Sequence, residues 1–136
     1  MRYFIDTSYL IAITHKRDQY HEDAVRISRG LEKPVRLITT EAVLMEYGNM
    51  LSQRHIREKA FNYIQILRNA ADTEIIPVSP ELFEKGLYDF GRYSDKEWGL
   101  VDCISFAVMR EKNILYALTS DEHFDQAGFV GLLRFK

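Results

Sequence analysis

Apolar residues follow two alternating patterns along this chain. Short apolar runs predict buried strands, and they occupy residues 2–7, 35–40, 73–78 and 114–120. Between these runs, apolar residues recur at three- and four-residue spacing, which predicts amphipathic helices. We place the helices at residues 9–15, 21–31, 41–54, 57–70, 80–90 and 99–113, and a last short strand within 130–135.

Capping residues support several of these borders. Thr39 or Thr40 is placed to cap the helix that follows the second strand. Ser79 is placed to cap the helix that begins with Pro80, because proline is favoured at the first helical position. The stretch 91–98 is predicted to be a loop. Strands that alternate with helices predict an α/β fold, in which helices cover both faces of a mostly parallel sheet.

Composition narrows the class of protein without deciding its function. The 136 residues suit one domain, 1–136, with a single core. The net charge is −2, so charge alone does not indicate a nucleic-acid-binding protein, although basic residues cluster at 15–17 and 54–59. The single cysteine, Cys103, suits a reducing cytoplasm, and we expect it to be buried and inert. We expect no membrane span, because no apolar run reaches about 18 residues.

Four acidic residues fall at one rim of the predicted sheet. Asp6 ends the first strand, Glu46 lies early in the helix after the second, Asp102 lies near the start of helix 99–113, and Asp121 follows the fourth strand. Ligands of such sheets bind outside the carboxyl ends of the strands. Clustered carboxylates repel one another, and Mg²⁺ or Mn²⁺ relieves this repulsion. Such an ion can activate a water for attack on a phosphodiester.

Each acid also has a purely structural interpretation. Asp6 can cap the helix that follows it, and Asp121 can cap a loop. Glu46 can be a solvated helix residue, and Asp102 can serve only to stabilise its helix N-terminus. The wide spacing of these acids leaves both interpretations open. Other chemistry finds little support, because the four histidines lack zinc-ligand spacing and no phosphate-binding glycine loop is present.

Four segments, in order, resemble the acidic motifs of PIN-domain ribonucleases, and in particular the VapC-like toxins of toxin–antitoxin modules. The segments are FIDTSYLIA, TTEAVLMEYGNML, DKEWGLVDCISFAVM and ALTSDEHFDQAGF. The third is the most specific, with Trp98 four residues before Asp102. The resemblance covers nearly the whole chain. It implies a Rossmann-like three-layer α/β/α sandwich and an Mg²⁺- or Mn²⁺-dependent endoribonuclease.

The resemblance also implies roles for individual residues. Asp6, Glu46, Asp102 and Asp121 form the catalytic and metal-binding acids, with Asp6 and Asp102 as the most direct ligands. Further contributors are two hydroxyl residues that can orient a ligand, Thr7 and Ser8, and two extra acids near the rim, Asp95 and Asp125.

The third motif departs from the family pattern W-S-x-T-D-C. Gly99 replaces a helix-capping residue, so we expect Ser94 or Asp95 to cap the helix instead. Val101 removes a hydroxyl beside Asp102.

Three aromatic residues close to the acids, Tyr9, Tyr47 and Trp98, fit core packing better than base stacking.

The family resemblance implies partners as well as a substrate. We expect an RNA substrate, a small antitoxin that covers the cleft, and a homodimer formed through helices 57–70 and 80–90. Three alternatives remain open at this point. They are a housekeeping PIN nuclease of RNA processing or decay, a non-catalytic PIN-like binding module, and a structure-specific DNA nuclease.

Overall fold

One five-stranded sheet with helices on both faces organises the chain. The computed structural model describes residues 1–134. The strands are β1 (Arg2–Ile5), β2 (Arg36–Thr40), β3 (Thr73–Ile76), β4 (Tyr116–Leu118) and β5 (Val130–Gly131). The helices are α1 (Thr7–Thr14), α2 (His21–Arg29), α3 (Glu41–Met50), α4 (Arg57–Asn69), α5 (Pro80–Arg92), α6 (Leu100–Glu111) and α7 (Glu122–Gln126), and a 3₁₀ turn covers Leu132–Arg134.

All neighbouring strands are parallel, in the order β3-β2-β1-β4-β5. The central strand β1 aligns Phe4 with Ile38 on one side and with Ala117 on the other. At its carboxyl end, the Asp6 amide donates to the Leu118 carbonyl at 3.2 Å. The predicted α/β fold is therefore confirmed, and the ends of β1 and β4 meet at one edge of the sheet.

Two predicted caps are present, and several borders differ from the prediction. The Val43 amide donates to Thr40 Oγ1, and the Leu82 amide donates to Ser79 Oγ, both at 3.1 Å. Helix α5 continues through Arg92, into the predicted loop, and the short helix α7 was not predicted. The predicted terminal strand contains only β5 before the 3₁₀ turn, and its last residue, Phe135, lies outside the described residues.

The core lies on both faces of β1. Phe4 packs against Phe124, which in turn contacts Phe106 of α6 in an edge-to-face arrangement. Helix α4 contributes Leu67, whereas Phe61 on the same helix is 62% exposed. Apolar residues recur every three positions from Phe61 through Ile64 to Leu67, whereas an α-helix has 3.6 residues per turn. Phe61 and Leu67 therefore lie on different faces of α4. Among residues 1–134, no helix has the length and apolar character needed to cross a bilayer.

Candidate functional site

Asp6 lies where β1 turns into α1, and it is almost wholly buried. Its Oδ2 atom accepts hydrogen bonds from the Ser8 hydroxyl at 2.8 Å and the Thr119 hydroxyl at 2.7 Å. The pKa of Asp6 is raised to about 6. Burial is the largest cause, the hydrogen bonds from Thr119 and Ser8 partly offset it, and the charges of Asp102 and Asp121 add to it. Asp6 is therefore a helix cap and a member of an acidic cluster at once.

The two hydroxyls that hold Asp6 also tie the loop after β4 to the loop after β1. Ser8 Oγ accepts the Ser120 amide at 3.1 Å, and Thr119 Oγ1 accepts the Asp121 amide at 3.0 Å. The hydroxyls of Ser8 and Thr119 lie 3.1 Å apart. This network fixes Asp6 and Asp121 relative to each other through side chains that are themselves anchored to the backbone.

Asp102 lies in the first turn of α6 and caps that helix itself. Its Oδ2 atom accepts the Gly99 amide at 3.1 Å. The expected cap by Ser94 or Asp95 is wrong, because Gly99 itself is the N-cap residue of a helix that begins at Leu100, and no side chain caps the amides of its first turn. Burial raises the pKa of Asp102, while the bonds from Gly99 and His123 lower it in part.

Asp121 caps α7, and His123 joins it to Asp102. Asp121 Oδ1 accepts the His123 amide at 2.9 Å. The His123 ring places Nδ1 at 3.1 Å from Asp102 Oδ2 and 3.3 Å from Asp121 Oδ1. Within residues 1–134, these three side chains are the group whose ligand atoms all lie within 4.8 Å of one another.

Each of the three aspartates keeps one oxygen open. Asp6 Oδ1, Asp102 Oδ1 and Asp121 Oδ2 accept no hydrogen bond from any residue in the range 1–134. Nearby, the buried hydroxyl of Thr7 also has no partner within that range. Mg²⁺ and Mn²⁺ prefer hard oxygen ligands and retain several waters. The open carboxylate oxygens are ligands of the kind that such an ion prefers, and Asp102 and Asp121 belong to the group whose ligand atoms lie within 4.8 Å of one another.

The remaining predicted acids lie outside this cluster. Glu46 is half-buried in the second turn of α3, and its carboxylate has no hydrogen-bond or ion-pair partner within residues 1–134. Asp95 is exposed and pairs with Lys96. Asp125 pairs with Arg134 of the 3₁₀ turn and accepts the Gly131 amide of β5 at 3.0 Å. The structure therefore brings Asp102, Asp121 and His123 together, with Asp6 near enough for the charges of the two aspartates to raise its pKa, and Glu46 stays a prediction.

Sequence reasoning missed two residues of the site. Thr119 and His123 each lie two positions from Asp121. Their polar side chains so close to a candidate ligand are the signal that could have identified them. The predicted role of a hydroxyl beside Asp6 falls to Ser8 rather than Thr7.

The three aromatic residues close in sequence to the acids are buried, as the core interpretation predicted. Tyr9 and Tyr47 are at most 5% exposed, and Trp98 is 8% exposed. The Trp98 ring meets Phe106 edge to face at 5.1 Å, and its N–H donates to Gln126 on α7 at 3.0 Å. Trp98 therefore links the loop before α6 to α7, and so supports the acids that both helices carry.

Comparison with known proteins identifies the family. The profile of the PIN domain matches residues 3–130. The chain belongs to the PIN-domain family. The four acidic motifs quoted above therefore lie in a PIN domain.

Two relatives show how far the likeness of this PIN domain extends. The chain is 32% identical over 127 residues to the 23S rRNA-specific endonuclease VapC20 of Mycobacterium tuberculosis, covering 93% of this chain and 95% of the relative. The crystal structure of that Sarcin-Ricin loop cleaving toxin superposes with a TM-score of 0.86 at 29% identity, over 96% and 97% of the two chains. VapBC2 from Rickettsia felis, bound to a promoter DNA fragment, shares the fold with a TM-score of 0.63 at 15% identity, over 96% of each chain.

Proposed function

We propose that this PIN domain is a metal-dependent endoribonuclease and the toxin of a toxin–antitoxin pair. The observation that carries the proposal is the set of three pinned aspartates, each with one oxygen left open, at the carboxyl edge of the sheet. The likeness to the VapC20 endonuclease over more than nine-tenths of both chains supports it.

The open oxygens of Asp6, Asp102 and Asp121 would hold the ion, and Glu46 would complete the site through water. A bound Mg²⁺ or Mn²⁺ supplies a water of lowered pKa and a positive charge beside the scissile phosphate. Burial raises the pKa of Asp6 and of Asp102, so the deprotonated form and the bound cation stabilise each other. The Ser8 hydroxyl would keep one oxygen of Asp6 fixed while the carboxyl group loses its proton and the cation binds.

Two basic segments are placed to attract the RNA backbone. Helix α1 begins beside Asp6 and its eight residues extend about 12 Å, so residues 15–17 follow at its far end. The second segment, 54–59, leads into α4, which packs against α1. The charged side chains of both segments are largely exposed. Phosphate contacts of this kind weaken as salt rises, and they position the substrate without selecting its sequence.

The substrate to test first is a structured ribosomal RNA loop, because VapC20 is named for that activity. Purified protein would be incubated with a hairpin of the 23S sarcin–ricin loop and with an unstructured RNA of equal length, in Mg²⁺, Mn²⁺ or EDTA. We expect metal-dependent cleavage of the hairpin, lost in Asp6→Asn and Asp102→Asn. Glu84→Gln, an exposed residue of α5, is the matched control and should cleave normally. No cleavage of either RNA by folded protein would contradict the proposal.

The proposed partner is a small antitoxin that covers the acidic cleft, with a basic side chain reaching the cluster. Induced expression of the chain alone should stop growth, and co-expression of the small protein encoded beside it should restore growth. Normal growth under expression, together with RNA cleavage in vitro, would instead favour a housekeeping nuclease.

A homodimer is proposed through α5. Phe83, Leu87 and Phe90 recur along one face of this helix and are 40–48% exposed. Sedimentation of the wild type and of Leu87→Glu tests this assembly, since a monomeric wild type would contradict it.

A further inference from the structure

His123 is a polar residue of this site to which the acidic motifs assign no role. Its side chain is about one-fifth exposed, and its ring lies between two acids that come from different elements. Asp102 is carried by α6, and Asp121 ends the loop after β4. The ring nitrogen Nδ1 lies 3.1 Å from one acid and 3.3 Å from the other. His123 is thus the direct side-chain link between these two acids.

The chemistry of the contact assigns the hydrogen. Both atoms that face Nδ1, Asp102 Oδ2 and Asp121 Oδ1, are carboxylate oxygens, which accept hydrogen bonds. Nδ1 therefore carries the hydrogen and donates it to Asp102 Oδ2, while Asp121 Oδ1 lies close beside it. The backbone of the same residue holds Asp121, because the His123 amide donates to Asp121 Oδ1 at 2.9 Å.

The two oxygens that His123 engages are the pinned ones. Asp102 Oδ2 also accepts the Gly99 amide, and Asp121 Oδ1 also accepts the His123 amide. The opposite oxygens, Asp102 Oδ1 and Asp121 Oδ2, stay without a hydrogen bond from residues 1–134. A hydrogen bond to the oxygen that does not bind a metal fixes the rotation of a carboxylate, and such supporting bonds typically change metal affinity 10–100-fold.

Resting on the proposed function, we propose that His123 is a positioning residue of the metal centre. Its Nδ1–H bond to Asp102, together with the bond from its backbone amide to Asp121, holds the two acids in the rotation that turns their open oxygens toward a shared divalent cation. The opposite arrangement, in which Nδ1 itself binds the cation, would require a lone pair at the atom that now donates to Asp102.

The side-chain geometry of three substitutions separates these roles. In Asn, the amide Nδ2 is bonded to Cγ, as Nδ1 is in His, so His123→Asn keeps a donor at the same position. In Gln the amide lies one bond further out, and in Ala it is missing. We expect Mn²⁺ affinity, measured by titration of metal-free protein and followed by EPR, to fall 10–100-fold in His123→Ala and His123→Gln. We expect His123→Asn to stay within about threefold of the wild type.

Two further readings keep the result independent of folding and of activity. Thermal unfolding in EDTA reports whether each variant folds, and if His123→Ala does not, the Asn and Gln pair carries the comparison. Pulsed EPR of the Mn²⁺-loaded wild type should show no directly coordinated nitrogen. Wild-type affinity in His123→Ala, equal losses in Asn and Ala, or a coordinated nitrogen that His123→Ala removes would each overturn the positioning role.

Failure of the proposed function has a different signature. Mn²⁺ that does not bind to the wild type, or that binds equally well to Asp102→Asn, would remove the metal centre and the role of His123 with it. Normal binding that is lost in Asp102→Asn but unchanged in His123→Ala would overturn this inference alone.

Discussion

The Thr119 hydroxyl donates a 2.7 Å hydrogen bond to Oδ2 of Asp6, and so joins the carboxyl ends of β4 and β1. Both residues are buried, and they are 113 positions apart in the sequence. The bond favours the charged carboxylate and lowers the pKa of Asp6 against the larger opposing effect of burial. Thr119 thereby sets how much of Asp6 is ionised, and ready to bind a cation, near neutral pH.

Replacing Thr119 with valine should therefore raise the pKa of Asp6 above about 6 and weaken Mn²⁺ binding at pH 7. Valine has nearly the same shape but no hydroxyl, and a hydrogen bond to a charged group contributes about 1.5–3 kcal/mol. We expect roughly tenfold weaker binding, with the loss shrinking as the pH rises. Carboxyl-carbon NMR of Asp6, together with Mn²⁺ titrations between pH 5 and 8, measures both effects.

Thr14→Val is the matched control for this substitution. Thr14 is also buried, and its hydroxyl bonds the Leu10 carbonyl and the Tyr47 hydroxyl, away from the acids. It should lower stability and leave the pKa of Asp6 unchanged. An equal change of Mn²⁺ affinity in both threonine variants would show that general loosening, and not the bond to Asp6, is responsible.

Asp6→Asn should stabilise the metal-free protein at neutral pH. The folded-state pKa of about 6 lies above the ordinary value of 3.8, so folding favours the protonated acid. The wild type therefore loses stability as the pH rises from 3.8 to about 6, and the loss is complete above about pH 6. The two-unit shift corresponds to on the order of 3 kcal/mol, which an uncharged asparagine avoids. Urea denaturation in EDTA at pH 4, 5, 6 and 7 measures it.

Added Mn²⁺ should reverse this order. A ligand that binds only the folded state stabilises it in proportion to the logarithm of its concentration, so the wild type should gain stability at pH 7 while Asp6→Asn should not. A variant that is less stable than the wild type in EDTA at every pH would indicate that Asp6 acts as a helix cap rather than as a strained acid.

The sequence pattern could predict the rim because the edge of a parallel sheet follows from chain order. Asp6 and Asp121 each follow a short apolar run, so the fold alone places them at one edge. Which of their oxygens stay open depends on Ser8, Thr119 and His123, and on side-chain rotations that no periodicity encodes. Chain order does not place Glu46 at this edge in the same way, because Glu46 lies within a helix. Each residue of a helix that follows a strand lies about 1.5 Å further from the edge of the sheet.

The alternative interpretations of the acids also turn out not to exclude each other. Asp6 and Asp121 both cap helices, yet each keeps one oxygen open for other chemistry. A carboxylate has two oxygens, so a cap and a ligand can be the same side chain. The sequence left the two roles as alternatives, because it does not show which oxygen of a carboxylate makes the capping bond.

Gly99→Ser should stabilise α6 without disturbing Asp102. Gly99 has a backbone conformation open to any residue, and an added Cβ would meet only Asp102 Oδ2, at 3.8 Å. A serine there can cap the helix and also restricts the unfolded chain, for a gain of about 0.5–1 kcal/mol in unfolding free energy. Urea denaturation compares it with Gly99→Ala, which lacks the hydroxyl and should gain less. Equal gains in both would show that chain entropy alone is at work.

Gly86→Ala should destabilise the fold, because α5 lies directly against Ile104 of α6 at this residue. An added Cβ would lie 2.5 Å from Ile104 Cγ1 and 3.2 Å from the Ile104 amide nitrogen, so the two helices must separate. Overpacking of this kind costs about 1–3 kcal/mol. Gly91→Ala, on the same helix, meets nothing within 4 Å and should instead add up to about 1 kcal/mol. Thermal and urea unfolding of both variants decide the point. Ile104 lies two residues after Asp102, so Mn²⁺ binding should weaken in Gly86→Ala and not in Gly91→Ala.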